Sequence, residues 1–257
     1  PNPLSAGLSI VRSLRVRRPG PGGDDPPPDH SALGEVLRAV QAGGAAVLPD
    51  QLDDLDHYTA TMAKARPDLL SRSDALAFWL NLYNAGALTL AGETLSTGEA
   101  SVLRLPGAFT RPVLTVAGET LSLDNIEHGK IRRFQDPRIH AALVCGSASC
   151  PTLRHEPYDG DGLTGQLDDQ LRSFLRAGGA VIEDDRLMLS RVFLWYGADF
   201  VRPHRMPALI PARRSLIARA VTPWLPVHQQ QWLRQSKRSI AFQDYDWSVA
   251  CSVRKPA

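Results

Sequence analysis

"SRSDALAFWLNLYNAGALTLAGETL", Ser71 to Leu95, decides the fold. From Ala75 to Leu90 nearly every position is apolar, so no face is left for water. A helix of that kind lies inside a domain rather than on its surface. Ser71, with Asp74 three residues on, has the pattern of a helix start. Two asparagines interrupt the apolar run. Asn81 and Asn84 are three apart and therefore occupy neighbouring positions on one face. A buried amide without partners is costly, so each must hydrogen-bond something specific: the backbone of an adjacent loop, a catalytic group or a substrate.

The flanking segments supply what packs around that helix. "SALGEVLRAVQAG", from Ser31, has apolar residues at Leu33, Val36, Leu37 and Val40 and predicts a helix ending at Gly43-Gly44. A second helix is expected over about Leu52 to Ala65. Downstream, "VLTV" and "TLSL" flank an Ala-Gly-Glu turn and predict a hairpin. Asp124 is then expected to cap a helix, with Glu127 at the capping-box position. "RIHAALV" predicts a short buried strand. Leu163, Leu167, Leu171, Phe174 and Leu175 share one face of a helix that stops at Gly178-Gly179. "AVIEDDRLMLSRVFLWY" predicts another hairpin, turning at Asp184-Asp185. Helices come first, then antiparallel strands with helices between them. The pattern is α+β: N-terminal helices with a buried central helix packed on a small antiparallel sheet.

Residues 1–30 stand apart. "RVRRPGPGGDDPPPDH" is too rich in Pro, Gly and charge to fold alone, and reads as a flexible linker or a segment laid over the surface. Residues 31–257 are long enough to form a single domain with a sizeable core. The net charge is +2 and the arginines are scattered among acids, which argues for a solvated surface and against a nucleic-acid partner. No apolar run approaches the length of a membrane span. Pro1 in place of Met fits a chain trimmed at its start, by leader removal or by cloning. Periplasmic, secreted and cytoplasmic placements all stay open.

Two of the three cysteines fall in "DPRIHAALVCGSASCPTLR", Asp136 to Arg154. Four readings are open for Cys145 and Cys150. A nucleophile needs its thiolate favoured by a helix N-terminus or a nearby His. Pro151 suits the first turn of a helix over "PTLR", which would put Cys150 at its positive end. Cys145, before Gly146, stands where backbone amides are often free to bind an oxyanion. His140 is the candidate base; on a regular strand it faces away from Cys145, which favours Cys150 across the turn. A zinc site would draw on His128, His140, Cys145 and Cys150, although the spacing is not a common one. A disulfide closing a tight loop and a merely packed pair complete the set. Glu127 is either a capping residue or the carboxylate that holds a histidine in its working tautomer. His128 sits beside Gly129, where it can point to water, so His140 is the histidine expected to matter.

The motifs "ALAFWLNLYNAGAL", "IEHGKIR", "DPRIHAALVCGSASCPTLR", "YDGDGLTGQLDDQLRSFL", "LSRVFLWYGADF" and "YDWSV" occur in that order between Leu69 and Val249. Together they resemble the bacterial and plant family called domain of unknown function 547. A Leu-Asn usual in that family after the terminal Trp-Ser is Val249-Ala250 here. The family is distantly similar to papain-like and transglutaminase-like cysteine enzymes. That resemblance implies a cysteine-protease-like fold in which a central helix, a His and an acid converge. The usual nucleophile at the start of the central helix is missing from "SRSDALAFW", so the thiol would come from Cys145 or Cys150.

The resulting expectation is a cysteine-dependent hydrolase or acyl/thiol transferase acting on an amide or thioester. Cys150 or Cys145 would be the nucleophile, His140 the base, and Glu127 or Asp199 its orienting acid. Asn81, Asn84, His128 and Asp199 would line a cleft for a small-molecule or peptide-like substrate. No cofactor and no resident metal are expected. The competing expectation is a non-catalytic binding or scaffold domain whose polar cluster only fixes the core.

Overall fold

The structure is a computed structural model that describes residues 9–235 and 239–254. It is a mixture of helix and small sheets, in keeping with an α+β class. The chain divides into two compact units. The first comprises residues up to 134, Leu143–Leu163 and residues from 247 on; the second comprises Gln135–Ala142 and Thr164–Asp246.

In the first unit, α1 (Ser31–Gly43) buries Leu33, Val36, Leu37 and Val40, the apolar stripe of its sequence. A 3₁₀ stretch, Gly44–Gln51, leads into α2, Leu52–Met62, which ends three residues before the expected Ala65. Then comes α3, Arg72–Ser96, capped by Ser71, whose Oγ accepts the Asp74 N–H at 3.1 Å. Every residue of α3 from Ala75 to Leu88 is buried, so the all-apolar reading describes its position correctly. A hairpin follows, β1 (Leu114–Val116) against β2 (Glu119–Leu121). Ala117 at φ 49° and Gly118 at φ 81° form the two-residue turn with positive φ that matches strand twist. Leu114 packs so closely on α3 that a Cβ on Gly86 would lie 2.8 Å from its Cδ1. A side chain at Gly86 would have to displace the ends of Leu114 and Leu123.

The helical turn after the hairpin differs from expectation. Its cap is Ser122, not Asp124. Ser122 Oγ accepts the Asn125 N–H at 3.1 Å, and Asn125 Oδ1 accepts the Ser122 N–H at 3.2 Å. The capping box is therefore built by Ser122 and Asn125, two positions upstream of the predicted pair. Asp124 instead accepts a hydrogen bond from Ser9. Glu127 is released from any capping role. The turn itself, Asn125–Lys130, is π-helical, a wide winding often found where side chains are re-aimed for function.

Residues 9–30 of the N-terminal segment lie along this unit. Lys130 Nζ donates to the Arg17 carbonyl at 2.7 Å, and the Asp25 N–H donates to the Leu69 carbonyl at 3.0 Å. His30 Nδ1 meets the Tyr58 hydroxyl at 2.8 Å. The first eight residues of the predicted 1–30 segment lie outside the described residues.

The second unit opens with a correction. The predicted strand "RIHAALV" is instead a helical turn, α4, Ile139–Ala142, followed by irregular chain. Asp136 and Pro137 explain it. The Asp136 side chain accepts the Arg138 N–H at 3.0 Å, and Pro137 stands at the helix start, where a missing N–H costs nothing. Local capping thus outweighs a four-residue apolar run. Next come α5 (Leu163–Phe174), β3 (Ala180–Glu183) and β4 (Arg186–Leu189). The β3–β4 hairpin turns at Asp184 and Asp185, both with positive φ, as the sequence predicts. Three helices follow: α6 (Val192–Val201), α7 (Arg214–Val221) and α8 (Val227–Leu233). They carry the chain back to β5, Ser239–Phe242, which pairs parallel with β4. The sheet is therefore mixed rather than antiparallel. The helical crossover that a parallel pair requires hides this strand from a local reading. Leu171, Leu175, Leu187, Leu189, Phe193, Ile217 and Val221 form its core.

Candidate functional site

In the first unit the chain from Leu143 passes α3 before it turns at the cysteines. Asn84 Oδ1 accepts the Val144 N–H at 3.2 Å, which fixes the backbone just before Cys145. Gly146 adopts φ 71°, and a Cβ there would lie 3.2 Å from the Ala91 Cβ of α3. The left-handed conformation favours glycine, and the tight contact adds to that preference. The Cys150 N–H then closes the turn on the Ser147 carbonyl at 3.0 Å.

The C-terminal segment completes this turn. Ala148 N–H donates to the Ser248 carbonyl at 2.9 Å, and Ala250 N–H to the Gly146 carbonyl at 3.1 Å. Leu153 N–H donates to the Ser252 carbonyl at 2.9 Å, with Leu153 bridged in parallel to Val253. Pro151–Arg154 is thus extended, and the helix expected to start behind Cys150 is not formed. Val249-Ala250, where Leu-Asn was expected from the resemblance, contributes through its backbone. Val249 N–H donates to the Ala100 carbonyl at 2.8 Å and its chain bridges Ser147.

The sulfurs meet inside the turn. Cys150 Sγ accepts the Cys145 N–H at 3.0 Å and the Ser147 hydroxyl at 3.4 Å. Cys145 Sγ lies 3.1 Å from Ser147 Oγ and 2.6 Å from Cys150 Sγ. Cys145 and Cys150 are partly exposed and carry thiols rather than a formed disulfide. Burial pushes the Cys251 thiol up to about 12, and the charge of Cys150 adds to the shift. The third cysteine therefore belongs to the same neighbourhood, which sequence distance gave no reason to expect.

Asn81 is a clamp. Its Nδ2 donates to the Tyr158 carbonyl at 2.8 Å and its Oδ1 accepts the Tyr158 N–H at 2.9 Å. A narrow cavity lined by Leu33, Leu37, Asn81, Asn84, Arg154 and Tyr158 has room for about one water.

Glu127 and His128 are both buried on the π-helical turn. Tyr83 donates its hydroxyl to Glu127 Oε2 at 3.2 Å. Arg132 Nη1 lies 3.2 Å from His128 Nδ1, and Glu127 Oε1 lies 3.5 Å from the same nitrogen. His128 does not point to water, as its place beside Gly129 suggested. The wide π turn and the fully buried Arg132 hold it inside. Nδ1 of His128 thus faces both an arginine donor and a carboxylate acceptor.

His140 and Asp199 form a pair within the second unit. Nε2 of His140 donates to Asp199 Oδ2 at 2.9 Å. Asp199 Oδ1 accepts the Ala208 N–H at 2.7 Å, and Tyr196 stacks on the imidazole with ring centroids 4.1 Å apart. Asp199 is wholly buried and His140 nearly so. One turn of α6 separates Tyr196 from Asp199, which brings both to the same ring.

Among the described residues no group of three or more His, Cys, Asp or Glu is gathered to hold a metal ion. No described helix is long and apolar enough to cross a membrane. No curated protein and no solved structure matches the chain, so the cysteine-protease-like fold implied by the resemblance gains no support from a solved fold. Asn81, Asn84, Glu127, His128, His140, Cys145 and Cys150 all lie within residues 67–175, which match the model of the family described as "Protein of unknown function, DUF547".

Proposed function

We propose that the protein is a cysteine-dependent hydrolase or acyl/thiol transferase acting on an amide or thioester, with Cys150 as nucleophile. One observation carries this reading. The Cys150 sulfur receives a backbone N–H at 3.0 Å and a serine hydroxyl at 3.4 Å while staying partly exposed. Donors aimed at a sulfur favour the thiolate over the thiol, and the thiolate is the attacking species. In the proposed reaction Cys150 Sγ adds to a carbonyl carbon and the leaving amine or thiol departs with a proton. Water or a second nucleophile then takes the acyl group from the resulting thioester. The His140–Asp199 pair has the build of an oriented imidazole, with a carboxylate fixing one ring nitrogen.

A second reading, a scaffold domain without chemistry, draws on Asn81, whose amide oxygen and nitrogen both go to the Tyr158 backbone. Alkylation kinetics separate the two. After reduction, iodoacetamide should label Cys150 near neutral pH at least about tenfold faster than a free model thiol. Labelling no faster than the model thiol overturns the nucleophile reading. A mass shift of the full chain by one acyl group, on exposure to a model thioester, would show the covalent intermediate.

A further inference from the structure

We propose that Cys145 and Cys150 are also a redox dithiol, which small disulfides convert reversibly into an intramolecular disulfide. Their sulfurs are in direct contact, 2.6 Å apart, so the pair is already within reach of a bond of about 2.05 Å. Both are partly exposed, so a small disulfide can reach them. The turn that brings them together is already closed by the Cys150 N–H on the Ser147 carbonyl at 3.0 Å. On either side it is pinned by the C-terminal segment, through Gly146, Ala148 and Leu153. Oxidation therefore needs little rearrangement of the backbone. Cys251 is the other thiol in the neighbourhood, but its shift to about 12 keeps it protonated and a poor attacker.

The exchange balances with a disulfide as oxidant. Cys150 thiolate attacks one sulfur of glutathione disulfide and expels a glutathione thiolate, leaving a mixed disulfide on Cys150. Cys145 thiolate then attacks Cys150 Sγ and expels the second glutathione thiolate. The protein loses two electrons and two protons, and one glutathione disulfide becomes two thiols. The consequence for catalysis rests on the nucleophile reading: the bonded Cys150 sulfur no longer attacks a carbonyl. The formation of the bond itself does not rest on it.

Trypsin offers a direct readout. Cleavage after Arg138 and Arg154 releases one peptide, residues 139–154, that holds both cysteines, whereas Cys251 falls in residues 239–254. The reduced full-length chain is treated with glutathione disulfide, quenched in acid, alkylated and digested. The expected result is at least a tenfold fall in doubly alkylated 139–154, replaced by the same peptide lacking two hydrogens and carrying no label. Dithiothreitol should restore the labelled form, and Cys145→Ser should stop at the mixed glutathione disulfide. Persistence of the mixed disulfide in the wild type overturns the proposal. So does linkage of 139–154 to 239–254, or full alkylation at every oxidant level. Fast alkylation without the disulfide leaves the nucleophile reading standing and removes this one. The disulfide without fast alkylation does the reverse.

Discussion

The cysteine turn and the His140–Asp199 pair are built on opposite terms. Cys145 and Cys150 are partly exposed, and their turn is held by backbone hydrogen bonds to the C-terminal segment and by Asn84. His140 and Asp199 are buried in the second unit, with Tyr196 stacked on the ring and Ala208 bonded to the acid. A buried ionisable pair is committed to its partners, since breaking it strands a charge in a poor solvent. A half-exposed sulfur keeps water as an alternative partner, so changes there move stability little and reactivity much. The buried pair specifies structure even if it also does chemistry; the cysteine turn has freedom to react.

The largest effect should come from the buried pair. Asp199→Ala removes the acceptor of both His140 Nε2 and the Ala208 N–H. Removing one member of a buried pair costs about 3–5 kcal/mol, read as a lowered midpoint in urea unfolding. A loss under about 1 kcal/mol would mean that the pair is not committed in this way, and the contrast between the two regions would collapse.

A smaller effect is expected at Asn81, on the first unit's buried helix. Asn81→Ala takes from Tyr158 the partner of its N–H and its carbonyl, two hydrogen bonds at 2.9 and 2.8 Å. The expected cost is about 1–3 kcal/mol, the range for a buried group deprived of its partner. Asn81→Asp keeps the acceptor but sets a buried carboxylate against the Tyr158 carbonyl, so it should cost at least as much as alanine if the clamp is what matters. If both variants are as stable as the wild type, the Asn81 amide does no architectural work, and binding becomes its better explanation.

These contrasts also mark what could be read from the sequence. The buried central helix was legible because burial on all sides leaves no polar face, and Ser71 announces its start. Both hairpins were legible because Gly118 in one and the Asp184-Asp185 pair in the other are turn-forming residues set between β-rich runs. The α4 turn was misread as a strand because Asp136 and Pro137 act through capping, against an apolar run that suits either state. The cap at Ser122 was missed because Asn125 replaces the usual Glu of a capping box. β5 and the place of Cys251 depend on pairing across a long stretch of chain, which no local pattern encodes. For the site, residue types pointed to Cys145, Cys150 and His140, and Asp199 was named as a carboxylate partner for that histidine. Ser147, buried between the sulfurs, was overlooked; its place between two cysteines in "CGSASC" was the available signal.

The smallest expected change in stability is also the sharpest test of the difference between the regions. Ser147 Oγ lies 3.4 Å from Cys150 Sγ and 3.1 Å from Cys145 Sγ. Its backbone, not its hydroxyl, carries the bridge to Val249 and accepts the Cys150 N–H. Ser147→Ala therefore keeps the turn and removes one donor from the sulfur. A single neutral hydrogen bond contributes roughly 0.5–1.5 kcal/mol, and sulfur, a weak acceptor, puts this one at the low end. The unfolding midpoint should barely move. The alkylation rate of Cys150 near neutral pH should nevertheless fall several-fold, because a thiolate loses more than a thiol when a donor leaves. Its pH profile should shift towards alkaline pH, with the plateau rate recovered once the thiol is fully ionised. A large loss of stability with an unchanged profile would show that Ser147 holds the turn instead. The cysteine region would then be as structural as the His140–Asp199 pair, and the scaffold reading would gain the ground that the nucleophile reading loses.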